Sequence, residues 1–453
     1  MLAALPRRWW IVLFALAAGA ALRLWFIHAY PEVQGDPLIY GDIAKNWMTH
    51  GVYGLSNTEG IRPTLIRLPG YPLFLVLCFR LFGMEHYHAV MYVQTAVDLI
   101  TCLLIAGFTA KIASPRAAWI ALWLAAVCPF TANYAATPLT ETLELFSIAL
   151  ALFGFARLLE NPEWRWVLLL AFAFSYAAIL RPDGALLAVA LCPALVVYGA
   201  KLWGTRLMLR MALVCGVLSV LPFIPWAVRN WKTFHVIQPL APRYAMDPDE
   251  YTNPGFNRWT KTVCADFTCT WEIYWNANSD ALPFDHLPSR AFDSPVQLAK
   301  TKQLFADYNQ TMTLSPEIDD RFAALAQQRI DANPFRYYIA MPVLRLTDMW
   351  LRPRTELLWI ELRWWEYSKH HAETEFAIAY AALNLAYLVL SLIGFSRWPR
   401  FAGAMLLFIL LRSALLATIE APEPRYTLEC FPMLIALAGV AFERKDPYLY
   451  LPT

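Results

Sequence analysis

Apolar residues along this chain gather in long runs broken by charge, Pro or Gly, rather than alternating as they do in half-buried strands. A helix that crosses a bilayer needs about 20 predominantly apolar residues. Runs of that size begin near Trp9, His86, Ala117, Leu139, Trp164, Gly184, Leu207, Glu375, Phe401 and Tyr426. They predict an all-α fold, a polytopic transmembrane helical bundle of about ten spans. The first run follows Arg7 and Arg8 and superficially resembles a signal peptide, but its length suits a span and no small-residue cleavage site closes it. Two long polar stretches interrupt the pattern, residues 30–85 and 229–374. The first contains an apolar segment, Tyr71 to Phe82, too short to span and expected to lie at the interface. The second contains Pro334 to Trp350, where Arg336, Arg345 and Asp348 mix with apolar residues as in an amphipathic helix at the membrane surface, the alternative being a short eleventh span that would spoil the charge pattern of the last three helices. Three parts follow: residues 1–228, an N-terminal bundle holding the first loop; 229–374, a loop region with an interfacial helix; and 375–453, the C-terminal spans.

Positive charge orients this arrangement, because short cytoplasmic loops collect Lys and Arg. With the N-terminus inside, the inner connections hold Arg7, Arg8, Lys111, Arg116, Arg157, Arg165, Lys201, Arg206, Arg210, Arg397, Arg400, Arg444 and Lys445. Short outer connections at 129–138 and 420–425 are poor in positive charge. Both termini are then expected in the cytoplasm, with both long polar stretches outside, as in a multi-pass protein of a bacterial inner membrane.

Composition sharpens the class. Only 16% of the 453 residues are charged and 58% are hydrophobic, whereas soluble domains carry about 25% charged residues. The net charge of +2 gives no reason to expect a nucleic-acid partner. Most of the cysteines lie in apolar runs and behave as small hydrophobes. Cys264 and Cys269 stand in a polar stretch and can pair if it faces an oxidising compartment; no cysteines have zinc-ligand spacing.

Candidate chemistry collects at the outer ends of the spans. Asp36 precedes a segment in which Tyr40, Ala44 and Trp47 share a helical face; it is either a functional carboxylate near a helix N-terminus or an ordinary helix-starting residue. Arg62 and Arg67, within Arg67-Leu68-Pro69-Gly70-Tyr71-Pro72, either grip a phosphate by fork-shaped hydrogen bonding or snorkel to headgroups. Glu141, entering a span with Glu144 one turn on, is either functional or part of a helix cap. Arg181-Pro182-Asp183-Gly184 reads more readily as a polar turn than as a cavity wall. Arg229-Asn230-Trp231 closes one span, and Glu423, Arg425 and Tyr426 open the last. Acidic, basic and phenolic groups from distant segments thus converge on one membrane face, as a site for an anionic, partly lipidic substrate requires. No Walker A sequence, dinucleotide fingerprint, HExxH or nucleophile elbow is present.

At these residues the sequence resembles the GT-C glycosyltransferases that use polyprenyl-phosphate sugars, particularly the protein O-mannosyltransferase and aminoarabinose transferase branch. The resemblance rests on Asp36 with Tyr40, the Arg67 to Pro72 stretch with Leu81-Phe82-Gly83, Thr140-Glu141, Trp226-Ala227-Val228-Arg229-Asn230, and Arg425-Tyr426 before a helix containing Pro432. It implies inverting transfer from a polyprenyl-phosphate sugar donor to a lipid, glycan or protein acceptor at the outer face. Asp36 would be the general base, Arg67, Arg229 and Arg425 would stabilise the phosphate leaving group, and Glu141 would orient a substrate or assist a divalent metal. Where many relatives have Asp-Glu, this chain has Asp36-Pro37, which makes Asp42 an alternative helper. The rival readings are a transporter or flippase of lipid-linked substrates and a noncatalytic membrane scaffold.

Overall fold

The computed structural model describes residues 9–443, so the expectations on Arg7, Arg8, Arg444 and Lys445 lie outside the described residues. Among the described residues, six helices are long and apolar enough to cross a membrane: Trp9–Ala29, Tyr87–Ile112, Glu141–Glu160, Pro182–Trp203, Thr205–Phe234 and His371–Ser396. Gly70–Phe82, Trp164–Leu180 and Ala402–Leu416 are shorter apolar helices. Their outward surfaces are apolar where a soluble protein would be polar. Leu209, Leu213, Val217, Leu221 and Ile224 form an exposed stripe at helical spacing along Thr205–Phe234, a surface that only lipid solvates well. The chain is an integral membrane protein.

Each segment expected to be apolar helix is helical, with interruptions: the run beginning near Gly184 opens in a 3-10 turn, Pro182–Ala185, and the run beginning near Leu207 turns at residues 221–222. The run beginning near Ala117 forms Pro115–Ala126 and then Pro129–Tyr134, because Pro129 has no N–H with which to continue the first helix. The last run opens as a 3-10 turn, Pro424–Cys430, before the helix Phe431–Val440. Backbone carbonyls freed inside a membrane need donors. Arg23, wholly buried on the first helix, supplies one at the first break by donating to Ala126 O at 2.7 Å, while its Nε donates to Asp98 Oδ2 at 2.6 Å.

The chain forms two compact units. The first comprises the described residues of Met1–Glu250, Leu385–Leu411 and Leu428–Thr453; the second comprises Tyr251–Asn384 and Arg412–Thr427. In the first, the stretch after the opening helix folds into the helix Asp36–His50 and an antiparallel hairpin, Gly54–Asn57 with Gly60–Pro63, in register Gly54 to Pro63. The second unit is helical around an aromatic core that includes Phe256, Trp259, Phe305, Tyr308 and Phe322. Its helix Pro254–Val263 begins on a distant carboxylate: Asp319 accepts from Gly255 N at 2.9 Å and Phe256 N at 2.7 Å, which satisfies orphan donors of that helix start. Cys264 and Cys269 are disulfide-bonded, as their polar setting allows.

Candidate functional site

Asp36 is the first residue of its helix, preceded by Gly35 at φ 61°, a left-handed conformation that glycine adopts without strain, and followed by Pro37 in the first turn. Asp36 Oδ1 accepts from Arg67 Nη2 at 2.6 Å, a charge-assisted bond between two partly exposed side chains. The same guanidinium lies 5.6 Å from the Tyr40 ring centroid, and Tyr40 in turn meets Tyr71 edge-on at 5.0 Å. The Tyr71 hydroxyl donates to Gln94 Oε1 at 2.6 Å, and Gln94 Nε2 donates to Thr137 O at 2.8 Å. A continuous chain of contacts therefore links the Asp36 loop to the turn that leads into Glu141. Burial pushes the Tyr40 phenol up to about 12; Arg67 and Arg181 oppose that shift, while Asp36 and Glu141 add to it. Tyr40 is thus neutral near pH 7, and four charges of the site act on it together.

The second half of the site centres on Arg181. It follows the helix Trp164–Leu180 and faces four carboxylates: Glu141 at 3.4 Å, Asp183 at 3.5 Å, Glu429 at 3.7 Å and Glu144 at 3.8 Å. The glutamates are almost wholly buried. The polar-turn reading that the sequence favours for Arg181 gives way to that of a hub. Nor is Glu141 part of a capping box, for Thr140 makes no side-chain cap. Gly70 explains how the halves meet: a Cβ there would stand 2.6 Å from Ile179 O, so only glycine lets the Arg67 to Pro72 stretch touch the backbone just before Arg181.

The remaining expected residues are placed as follows. Arg62 pairs with Asp249 and Glu250 at 2.9 and 3.0 Å. Arg229 donates to Thr64 O at 2.7 Å and Tyr53 O at 2.6 Å, with the Tyr53, Trp226 and Phe234 rings around it, and so pins the hairpin that carries Arg62. Asp42 holds the same hairpin through Ser56 N and Ser56 Oγ. Arg425 and Tyr426 belong to the second unit, where both bond to Glu423. Sequence reasoning missed Glu429 and Gln94; the lone carboxylate in Leu428-Glu429-Cys430-Phe431 was the available signal, since a buried carboxylate in an apolar run demands a partner. Among the described residues no group of three or more His, Cys, Asp or Glu is arranged to hold a metal ion. The carboxylates of this site face the guanidinium groups of Arg67 and Arg181.

The fold is similar to that of the archaeal oligosaccharyltransferase AglB from Archaeoglobus fulgidus. In complex with an inhibitory peptide and a dolichol-phosphate, that structure matches 95% of this chain and 49% of its own at TM-score 0.50 and 12% identity; tethered to an acceptor peptide, it does so over 95% and 49% at TM-score 0.51 and 13% identity. The chain has the GT-C fold. This GT-C protein spans about half the length of the archaeal chains it matches. Its residues 63–228 match the family described as dolichyl-phosphate-mannose-protein mannosyltransferase, in agreement with the resemblance of its motifs to the polyprenyl-phosphate-dependent GT-C glycosyltransferases. ArnT from Cupriavidus metallidurans bound to undecaprenyl phosphate also aligns, over 94% of this chain and 76% of its own, at TM-score 0.41 and 15% identity. No curated protein matches the chain in sequence.

Proposed function

We propose that this GT-C protein is a membrane glycosyltransferase that moves a sugar from a polyprenyl-phosphate donor to an acceptor nucleophile at the outer face, inverting the anomeric centre. The observation that carries the reading is the Asp36–Arg67 pair at 2.6 Å, an acid and a phosphate-binding cation set side by side over Tyr40. In the reaction the bond between the anomeric carbon and the phosphate oxygen breaks and the phosphate leaves with the electron pair. The acceptor oxygen bonds to the same carbon from the opposite side and gives its proton to Asp36. Arg67 first holds the Asp36 carboxylate by a charge-assisted hydrogen bond, then turns its fork to the donor phosphate as negative charge grows there, which frees the carboxylate to act as base. Arg181, held by Glu141, Glu144, Asp183 and Glu429, adds a second fixed cation within electrostatic reach of Tyr40.

Support for a lipid-linked donor comes from the dolichol-phosphate bound to the archaeal relative, and the peptide bound there makes a protein acceptor one of the classes to test. Support for the outer face comes from the Cys264–Cys269 disulfide, since such bonds persist in oxidising compartments. The basic inner loops orient both termini to the cytoplasm of a bacterial inner membrane.

The test is transfer of radiolabelled sugar from a panel of polyprenyl-phosphate donors into membrane acceptors, comparing the native chain with Asp36→Asn at equal expression. Transfer that falls by about 10²–10⁴-fold in the variant supports a general base. Equal transfer by both proteins removes Asp36 from that role, and no transfer from any donor favours the transporter or scaffold reading.

A further inference from the structure

In the second unit, a helical segment runs through Arg336–Ala340 and Met341–Leu351 with its polarity reversed. The residues turned inward, at every fourth position, are Met341, Arg345 and Met349, all buried, with Asp348 and Arg352 beside them. The residues turned outward are Phe335, Tyr338, Ile339, Val343, Leu344 and Leu351, all exposed, Phe335 by 68% and Val343 by 54%. A surface helix in water shows the opposite arrangement.

The inward charges meet mainly the loop closed by the Cys264–Cys269 disulfide and the end of the helix Pro254–Val263 that leads into it. Arg345 Nη1 donates to Lys261 O at 3.0 Å and Cys264 O at 3.4 Å, Asp348 Oδ2 accepts from Phe267 N at 2.9 Å, and Arg352 Nη2 donates to Thr268 Oγ1 at 3.0 Å. Burying the charged side of a helix costs free energy unless each group finds a partner, and here the loop provides a fitted socket. What remains outside is a largely apolar face, on which the exposed Thr347 hydroxyl donates to Val343 O at 2.9 Å within its own helix and the Tyr338 ring carries a phenol.

Chain continuity says what covers that face. Beyond Leu351 the chain exposes Trp359, Trp365 and Tyr367 and then enters His371–Ser396, a helix long and apolar enough to cross the membrane. Exposed Trp and Tyr just before a span are the side chains that settle at the headgroup boundary. We propose that the Phe335 to Leu351 face is a bilayer-contact surface, by which this helix lies in the outer headgroup and acyl boundary while the disulfide-closed loop holds its charged side. The surface binds membrane lipid and does not depend on the activity proposed above.

The experiment places a fluorescent label at Ile339→Cys in the full chain in liposomes, with Glu317→Cys, an exposed position on the helix Pro316–Ala332, as a reference in water. Nitroxide lipids should quench the Ile339→Cys label several-fold more than the reference, and aqueous iodide should quench it less. Val343→Cys repeats the test if Ile339→Cys fails to fold. Iodide quenching equal to the reference with no response to nitroxide lipid overturns the proposal. Protection from both quenchers also overturns it and points to a protein partner, whereas loss of lipid quenching in Cys264→Ser supports the socket.

Discussion

Arginine 67 carries two tasks that a lysine would divide. Its planar fork lies over Tyr40 while one nitrogen holds Asp36, and a flexible ammonium reproduces neither the ring contact nor a two-point grip on phosphate. Arg67→Lys is therefore expected to raise KM for the lipid-phosphate donor, and Arg67→Ala to lower kcat as well, because Asp36 then loses its orienting partner. Initial rates over a range of donor concentrations separate the two effects; unchanged KM in both variants removes Arg67 from phosphate binding. Arg181 differs in kind, since it stands among carboxylates that are nearly all buried. Arg181→Gln should cost about 3–5 kcal/mol of stability, read as a lower unfolding temperature in detergent, while Glu141→Gln should cost less because Arg181 keeps three acidic neighbours. The Asp36, Tyr40, Arg67 and Tyr71 group was legible in the sequence because its members lie within one short stretch with helical spacing and proline-stiffened turns. Arg181 was not, because its importance comes from Glu141 and Glu429, which the chain brings to it from far away on both sides. From its own neighbours, Pro182-Asp183-Gly184, it reads as a turn.

The same contrast holds for elements. Apolar runs announced the helices, since lipid-facing helices need apolar residues all round and twenty in a row is a strong signal. The hairpin at 54–63 gave no such signal: its strands are four residues each and their pairing rests on Asp42, Asn46 and Arg229, which lie outside it. The broken helix at Ala126 also depends on a partner, Arg23, whose charge the surrounding apolar run conceals. Arg23 and Asp98 form a buried pair, so removing one partner strands the other in a low-dielectric interior. Arg23→Met or Asp98→Leu alone should destabilise by about 3–5 kcal/mol, whereas the double variant should recover part of that loss. A thermal-melt cycle over the four proteins checks this, and additive losses would mean that the two charges do not stabilise each other. In the Met341–Leu351 helix, burial raises the Asp348 carboxyl to about 6; the nearby Asp266 adds to the shift, while Arg352 and the Phe267 amide oppose it. A carboxyl raised in the folded state binds its proton more tightly there than when unfolded. Its contribution to stability is therefore fully present below about pH 4 and is lost as pH rises through about 6, by about 3 kcal/mol for a shift of this size. Unfolding temperatures of Asp348→Asn and the native chain between pH 4 and 7 should diverge in the variant's favour as pH rises. Parallel curves would place the Asp348 titration elsewhere.

At the scale of the molecule, membrane class followed from composition alone, but the nature of the region after Arg229 did not. Its Pro, Asp, Asn and Trp content read as loop with one surface helix, yet residues from Tyr251 onward build a helical unit on an aromatic core. Short polar helices such as Pro295–Thr311 and Pro316–Ala332 show little one-sided apolar pattern, because polar side chains such as Gln297, Thr301, Asp319 and Arg329 are buried alongside the rings of Phe305, Tyr308 and Phe322. Which side of the membrane receives that unit decides whether the proposed reaction can use an outer acceptor, and its cysteines report the answer. Cys264 and Cys269 are joined, while Cys78, Cys102, Cys128, Cys192, Cys215 and Cys430 are free. If the unit faces an oxidising compartment, protein taken from cells, denatured and alkylated without reductant should label at the six free thiols, and prior reduction should add two more. The Cys264→Ser/Cys269→Ser double variant should label identically with and without reduction, which distinguishes this pair from accidental oxidation elsewhere. Eight labels before reduction would put the pair in a reducing compartment. The unit would then face the cytoplasm, and transfer to an outer acceptor would have to be abandoned.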